Sequence, residues 1–362
     1  MTRHVLSLDG GGVRGAVSVA ILERIERLIA ERAGKDARLA SRFDLIGGTS
    51  TGAIIATALA LGISASEIRD LYFHLAPKVF RRGWRVAGLQ AAFDAKALKR
   101  EIAAIVGERT LDTPDLRTHL AIVTKRMDTG SVWIVTNCPQ SRYWDDSADG
   151  TRIGNRRYQL AAIVRASTAA PYFFAPEDIA IARGRPHGLF VDGGVSPHNN
   201  PALALLQVAV IPAYGLGWPT GANNLHIVSV GTGTLRDRLE GRAARRMTAA
   251  GFAVRALTSM VADASEQVMT MMQLLGQTDT PWKINAEIGD LAGLLLPPSP
   301  LFTFRRYDVR LERQWLHDEL GMSVSDRNVE QLARMDLADI IPLAYEIGQA
   351  AAAKFVRPEH FE

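Results

Sequence analysis

Three glycine-bearing segments carry the residue types that acyl transfer needs. They are Asp9-Gly10-Gly11-Gly12-Val13-Arg14-Gly15, Gly48-Thr49-Ser50-Thr51-Gly52 and Asp192-Gly193-Gly194, and each follows a short apolar run. The second fits G-x-S-x-G, a tight strand-to-helix turn that exposes a serine oxygen while its glycines allow close backbone approach. Ser50 is therefore the candidate nucleophile. In the first segment the backbone N–H groups of Gly10, Gly11 and Gly12 open a helix, where partial positive charge suits a developing oxyanion. Asp192, with Gly193 and Gly194 beside it, is the candidate base. A carboxyl group, ordinarily acidic at a pKa of about 3.9, becomes a useful base when partial desolvation raises it.

Two other readings compete for these residues. Gly10, Gly12 and Gly15 also satisfy G-x-G-x-x-G, the dinucleotide fingerprint of an oxidoreductase. That fingerprint needs a second strand ending in an acid about twenty residues on. Here residues 21–32 are still helical in pattern, Asp36 sits in a polar stretch, and the next strand ends at Ser50. A Ser–Asp–His order can be assembled from Ser50, Asp192 and His226 or His317, with His198 six residues after Asp192 as a further rival. None of the eight histidines sits in a motif that announces a catalytic imidazole, and His226 falls inside a predicted strand. Asp192 is the better base.

Apolar periodicity supplies the elements that must hold these loops. Residues 4–8 and 43–46 read as strands, and 16–32 as a helix with Val17, Ile21, Ile25, Leu28 and Ile29 on one face. Residues 53–61 are apolar almost all round, which predicts a buried helix. Residues 120–124 and 132–136 flank Met127-Asp128-Thr129-Gly130 as a hairpin. Residues 158–167 read as a helix, and 189–191 and 225–230 as strands. Strands alternating with helices predict an α/β sheet, whose ligands lie beyond the carboxyl ends of the strands. After Leu235 the pattern turns helical, with Met247, Met260, Met269, Met271 and Met272 in one long stretch read as core filler.

Composition excludes several classes. The chain has 362 residues, 47% hydrophobic and 22% charged, with 42 basic against 38 acidic residues, unlike a disordered chain. One cysteine, Cys138, excludes an internal disulfide and a multi-cysteine zinc site. No His, Cys or carboxylate cluster has metal-ligand spacing, so neither metal nor organic cofactor is implied. No run of 18 apolar residues exists; the longest, from Ala202 to Ile211, contains Gln207 and stops at Pro212. The first residues run straight into a strand, which leaves no room for a signal peptide and leads to an expected cytoplasmic location. Basic residues cluster at Arg81, Arg82 and Arg85, at Arg242, Arg245 and Arg246, and at Arg305, Arg306 and Arg310. They read as solvated surface, or as contacts to anionic lipid; without a long basic run, nucleic acid is not an expected partner. Residues 73–93 mix Val79, Phe80, Trp84, Val86 and Leu89 with three arginines, a pattern that fits a partly buried connecting helix and loop with arginines in water, or a membrane interface.

Together the three motifs, in this order, resemble the patatin-like phospholipase family, with its D-G-G-G-x-R-G loop, G-x-S-x-G elbow and D-G-G motif. Ser167-Thr168-Ala169-Ala170-Pro171, Asn199-Asn200-Pro201-Ala202 and Ser229-Val230-Gly231-Thr232-Gly233 fit its secondary landmarks, and the likeness covers residues 4–235. The resemblance implies a three-layer α/β/α sandwich with a mostly parallel central sheet. It implies a catalytic domain over residues 1–235 and a helical C-terminal extension over 236–362 packed on the core. It implies a Ser50–Asp192 dyad without histidine, an oxyanion hole from Gly10, Gly11 and Gly12, and Arg14 supporting that loop. The implied substrate is a phospholipid or lysophospholipid, met transiently at the inner face of the membrane. Similar proteins include antiphage effectors switched on by a cyclic nucleotide, so a nucleotide activator is a second implied partner.

Overall fold

The computed structural model describes residues 2–79, 93–235 and 247–361. The segment around Trp84 and the arginine clusters at 81–85 and 242–246 lie outside the described residues. The first half of the chain forms β1 (Arg3–Leu8), α1 (Gly15–Ala33), α2 (Leu39–Arg42), β2 (Leu45–Thr49), α3 (Thr51–Ala60), α4 (Ala65–Val79), α5 (Ala95–Val106), β3 (His119–Arg126), β4 (Val132–Thr136) and α6 (Leu160–Ser167). There follow β5 (Glu177–Ile179), β6 (Gly188–Asp192), α7 (Ala202–Val210), β7 (Leu225–Val230), α8 (Ala249–Leu275), β8 (Gln277–Thr280) and β9 (Thr303–Tyr307). Three helices close the chain: α9 (Arg313–Leu320), α10 (Asp326–Leu332) and α11 (Ile341–Phe355).

One sheet with strand order β5-β6-β3-β2-β1-β7-β9-β8 runs through the molecule, and β4 pairs with β3 as the expected hairpin. The pairs from β3 through β2, β1, β7 and β9 to β8 are parallel. Alternate residues face opposite layers. Leu6, Leu8, Ile46, Ile122, Val228 and Val230 pack with α1, α3, α6 and α11. Val5, Leu45, Ala121, Ile227 and Phe304 pack with α7 and the far end of α8. Because both faces are covered, the central strands are apolar on both sides, as a buried parallel sheet requires. The fold is the expected three-layer α/β/α sandwich.

Three features differ from the sequence expectations. The sheet continues past residue 235: β8 and β9 lie in the segment read as helical, and β9 pairs with β7. The basic cluster at 305–310 is not a solvated patch, since Arg306 is 7% exposed and Arg305 pairs with Asp279 at 2.7 Å. In α8, Met269 and Met272 are core as expected, whereas Met260 is exposed. Among the described residues no helix is long and apolar enough to cross a membrane.

The C-terminal helix α11 seats on α1 through Gly348. A Cβ added there would lie 2.7 Å from the Val17 carbonyl oxygen and 2.8 Å from Ala20 Cβ. Gly348→Leu is expected to lower unfolding free energy by about 1–3 kcal/mol through overpacking. Urea denaturation of the variant beside wild type measures it.

Candidate active site

Ser50 stands where β2 hands over to α3. Its backbone has φ 55° and ψ −125°, a conformation rare outside glycine. The turn closes because Gly48 and Gly52 carry no side chains. A Cβ on Gly48 would collide with the Gly52 carbonyl, and one on Gly52 with the Leu8 carbonyl. The Ser50 N–H donates to Ser167 Oγ at 2.9 Å, and that hydroxyl donates to the Val123 carbonyl at 2.6 Å. α3 behind the elbow is buried as expected, apart from Ile54.

Asp192 reaches the same point from the opposite direction. β4 covers one edge of β3, so β2 and β6 must share the other; β2 ends with Thr49 opposite Val123, and β6 begins its pairing with Asp192 opposite Thr124. The two strands therefore meet end to end, one parallel and one antiparallel to β3. Loops at parallel carboxyl ends explain the placement of residues 9–15 and 48–52. The third loop arrives by this antiparallel junction instead.

The junction leaves Ser50 Oγ donating to Asp192 Oδ2 at 2.6 Å, while Asp192 Oδ1 accepts the Gly194 N–H at 2.7 Å. Asp192 is 4% exposed. Burial raises its pKa to about 6, against the opposing pull of the Ser50 and Gly194 hydrogen bonds and the Arg165 charge. Gly193 packs against the Val123 carbonyl. A serine hydroxyl already bonded to a carboxylate with a pKa near neutrality is set up for base-assisted nucleophilic attack.

The glycine loop differs from expectation in one respect. The Gly10 N–H is already used, donating to the Asn199 carbonyl at 3.0 Å. The Gly10 carbonyl in turn accepts from Thr232 Oγ1 at 3.0 Å and from Asn199 Nδ2 at 3.4 Å. Gly10 is thus an anchor rather than an oxyanion donor. The amides of Gly11 and Gly12 have no acceptor among the described residues, and both residues line the cavity that holds Ser50 and Asp192. Gly15 opens α1 beside the Tyr72 hydroxyl, which donates to the Gly12 carbonyl and lies 3.1 Å from Thr51 Oγ1. Arg14 makes no side-chain hydrogen bond among the described residues, and its Nε is buried without a partner. Burial lowers its pKa to about 10, opposed by Asp308 and Tyr72, so it stays a cation at the cavity wall.

No histidine bonds to Ser50 or Asp192 among the described residues. His226 lies edge-on to His4 at 5.1 Å, His317 is exposed beside Asp318, and the His198 Nδ1 is buried without a partner. Sequence reading missed Tyr72 and Arg165. Arg165 is 0% exposed and donates to the Ala175 carbonyl at 2.6 Å, and nothing in its local spacing marks it.

The described residues enclose a cavity of about 1390 Å³ around this centre. Most of its exposed wall is apolar, with Ile54, Ile55, Leu71, Leu75, Leu98 and Ile102 among its residues, while Glu101, Glu266, Arg310 and Gln314 add polar positions. It suits a fatty-acyl chain better than a polar metabolite.

A family model described as patatin-like phospholipase matches residues 6–206. The chain is similar to a cGAMP-activated phospholipase of Escherichia coli, 33% identical over 211 residues, covering 57% of this chain and 55% of that protein. It is similar to a cGAMP-activated phospholipase of Vibrio cholerae, 34% identical over 218 residues and covering 57% of each. Patatin-T5 of Solanum tuberosum is 30% identical over 249 residues, covering 64% of this chain and 61% of that protein. The chain spans little more than half the length of these curated relatives.

The raised pKa of Asp192 has two consequences. A carboxylate must be ionised to take the Ser50 proton, so with Asp192 in the role of base kcat/KM on a soluble ester should fall about tenfold per pH unit below a midpoint near 6. Its ionisation also costs stability, because the folded pKa lies above the usual value of 3.8. Asp192→Asn should therefore be inactive yet more stable than wild type at pH 8, by about 1–3 kcal/mol. The gain should shrink below pH 6 and vanish below about pH 4, which denaturation at several pH values reads directly.

Proposed function

Since the chain belongs to the patatin-like phospholipase family, we propose that it is a serine lipid acyl hydrolase that cleaves fatty-acyl esters through an acyl-enzyme. The observation that carries this reading is the 2.6 Å hydrogen bond from Ser50 Oγ to Asp192 Oδ2 at the head of an apolar cavity. Ser50 attacks the ester carbonyl as Asp192 takes its proton. The amides of Gly11 and Gly12 receive the oxyanion, supported by the charge of Arg14. Collapse of the tetrahedral intermediate passes the proton to the leaving alcohol. Water, deprotonated by the same carboxylate, then attacks the acyl-enzyme, and the proton returns to Ser50 as the fatty acid leaves. The cavity takes the acyl chain, and the substrate class is a phospholipid or lysophospholipid met at a membrane surface.

A second, compatible reading is that hydrolysis is switched on by a cyclic nucleotide. It draws on two relatives that are named cGAMP-activated phospholipases.

Incubating a bacterial lipid extract with wild type and with Ser50→Ala, with and without cGAMP, tests both readings by mass spectrometry. Wild type is expected to release free fatty acid and lysolipid, and Ser50→Ala none. A Ser50→Ala profile equal to that of wild type contradicts the hydrolase reading. Wild-type release that cGAMP leaves unchanged contradicts the regulated one.

A further inference from the structure

The glycine loop is anchored from a distant part of the chain. Arg306, on β9, forks onto Asp9, with Nη1 donating to Oδ1 at 3.0 Å and Nη2 to Oδ2 at 2.6 Å. Nη1 also donates to Ser229 Oγ at 2.7 Å, and Nη2 to Asp308 Oδ2 at 2.6 Å. Asp9, Arg306 and Asp308 are 5%, 7% and 4% exposed. Asp308 is itself held, its Oδ1 accepting the N–H groups of Gly233 and Val309, both at 2.9 Å. Burial works against the Arg306 charge, yet Asp9 and Asp308 more than offset this, so its pKa is raised. A second contact from the C-terminal region fixes the other end of the loop, where the Val13 N–H donates to the Met335 carbonyl at 3.0 Å.

A buried ion network of this kind is a poor device for stability alone. Desolvation consumes much of its Coulomb gain, and apolar replacements often stabilise as well or better. A guanidinium fork on a carboxylate does fix direction, because two parallel bonds leave little rotational freedom. Asp9 immediately precedes Gly10, Gly11 and Gly12, so its direction sets that of the amides that follow.

We propose that Arg306 is a positioning residue for ester hydrolysis: by clamping Asp9 it holds the loop so that the Gly11 and Gly12 amides face the oxyanion. The proposal rests on the reading of that loop as an oxyanion hole. Arg306 touches no reacting atom and acts through Asp9. It lies beyond residue 206, where the family match ends, so the C-terminal strands complete the catalytic centre.

The test compares kcat and KM of Arg306→Gln and Arg306→Lys on a soluble short-chain ester, with and without cGAMP. Arg305→Gln is the control, since Arg305 pairs with Asp279 from the other face of the same strand. Losing one oxyanion donor costs 10²–10³-fold in kcat. Arg306→Gln should accordingly lose about 10²-fold in kcat with KM within about threefold. Arg306→Lys, which keeps charge but not the fork, should lose about tenfold. Arg305→Gln should keep the wild-type kcat. A folded Arg306 variant with kcat within threefold of wild type overturns the proposal, as does an equal loss in Arg305→Gln. If Arg306→Gln fails to fold, Arg306→Lys decides; failure of both assigns Arg306 to stability and also overturns it. A wild type without Ser50-dependent turnover in either condition overturns the oxyanion-hole reading itself.

Discussion

Everything at the site depends on one strained residue. Ser50 is held at φ 55°, a conformation that costs on the order of 1–3 kcal/mol when a side chain is present. Its surroundings leave it little alternative. α3 is buried behind it, the Ser167 hydroxyl accepts its N–H, and the glycines on either side lie against carbonyls that no side chain could approach. Relaxing the turn would pull the serine oxygen away from Asp192 and out of the cavity. The sheet supplies the other half of the constraint, because β6 can meet β2 only where β2 leaves the edge of β3.

The charges around this point are arranged at the expense of stability. Asp192 is a buried carboxylate with two hydrogen bonds and a distant cation, enough to keep its pKa near neutrality but not to return it to the usual value. No arginine pairs with it among the described residues. Asp9, equally buried, receives such pairing from Arg306. Burial raises both carboxyls to about 6, even with the Arg306 fork on Asp9, so the two differ in what they touch: Asp192 a serine hydroxyl, Asp9 a guanidinium. The difference between them is the number and geometry of their donors, not their burial.

Much of this was legible in the sequence. The three loops, the order of their motifs and the apolar runs before them located Ser50, Asp192 and the glycine loop, because glycine requirements and strand periodicity are local properties. What was not legible is long-range. Periodicity does not give a strand's direction, so the antiparallel arrival of Asp192 could not be read. The pairing of Asp9 with Arg306 spans 297 positions. β9, with the sequence Thr-Phe-Arg-Arg-Tyr, falls in the stretch read as helical, because two adjacent arginines do not announce a buried strand; one of them is buried against Asp9 from the far end of the chain and Asp308 just past the strand. Which glycine amide remains free is likewise decided by Asn199, which spends that of Gly10.

The central claim is that Ser50 forms a covalent acyl intermediate with Asp192 as its base. The most direct measurement is mass spectrometry of acid-quenched protein after brief exposure to an activated long-chain acyl ester, with and without cGAMP. Wild type should gain the mass of one acyl group on the peptide carrying Ser50, and Asp192→Ala should show little or none at the same time point. Acylation at another residue, or undiminished acylation of Ser50 in Asp192→Ala, would contradict the account.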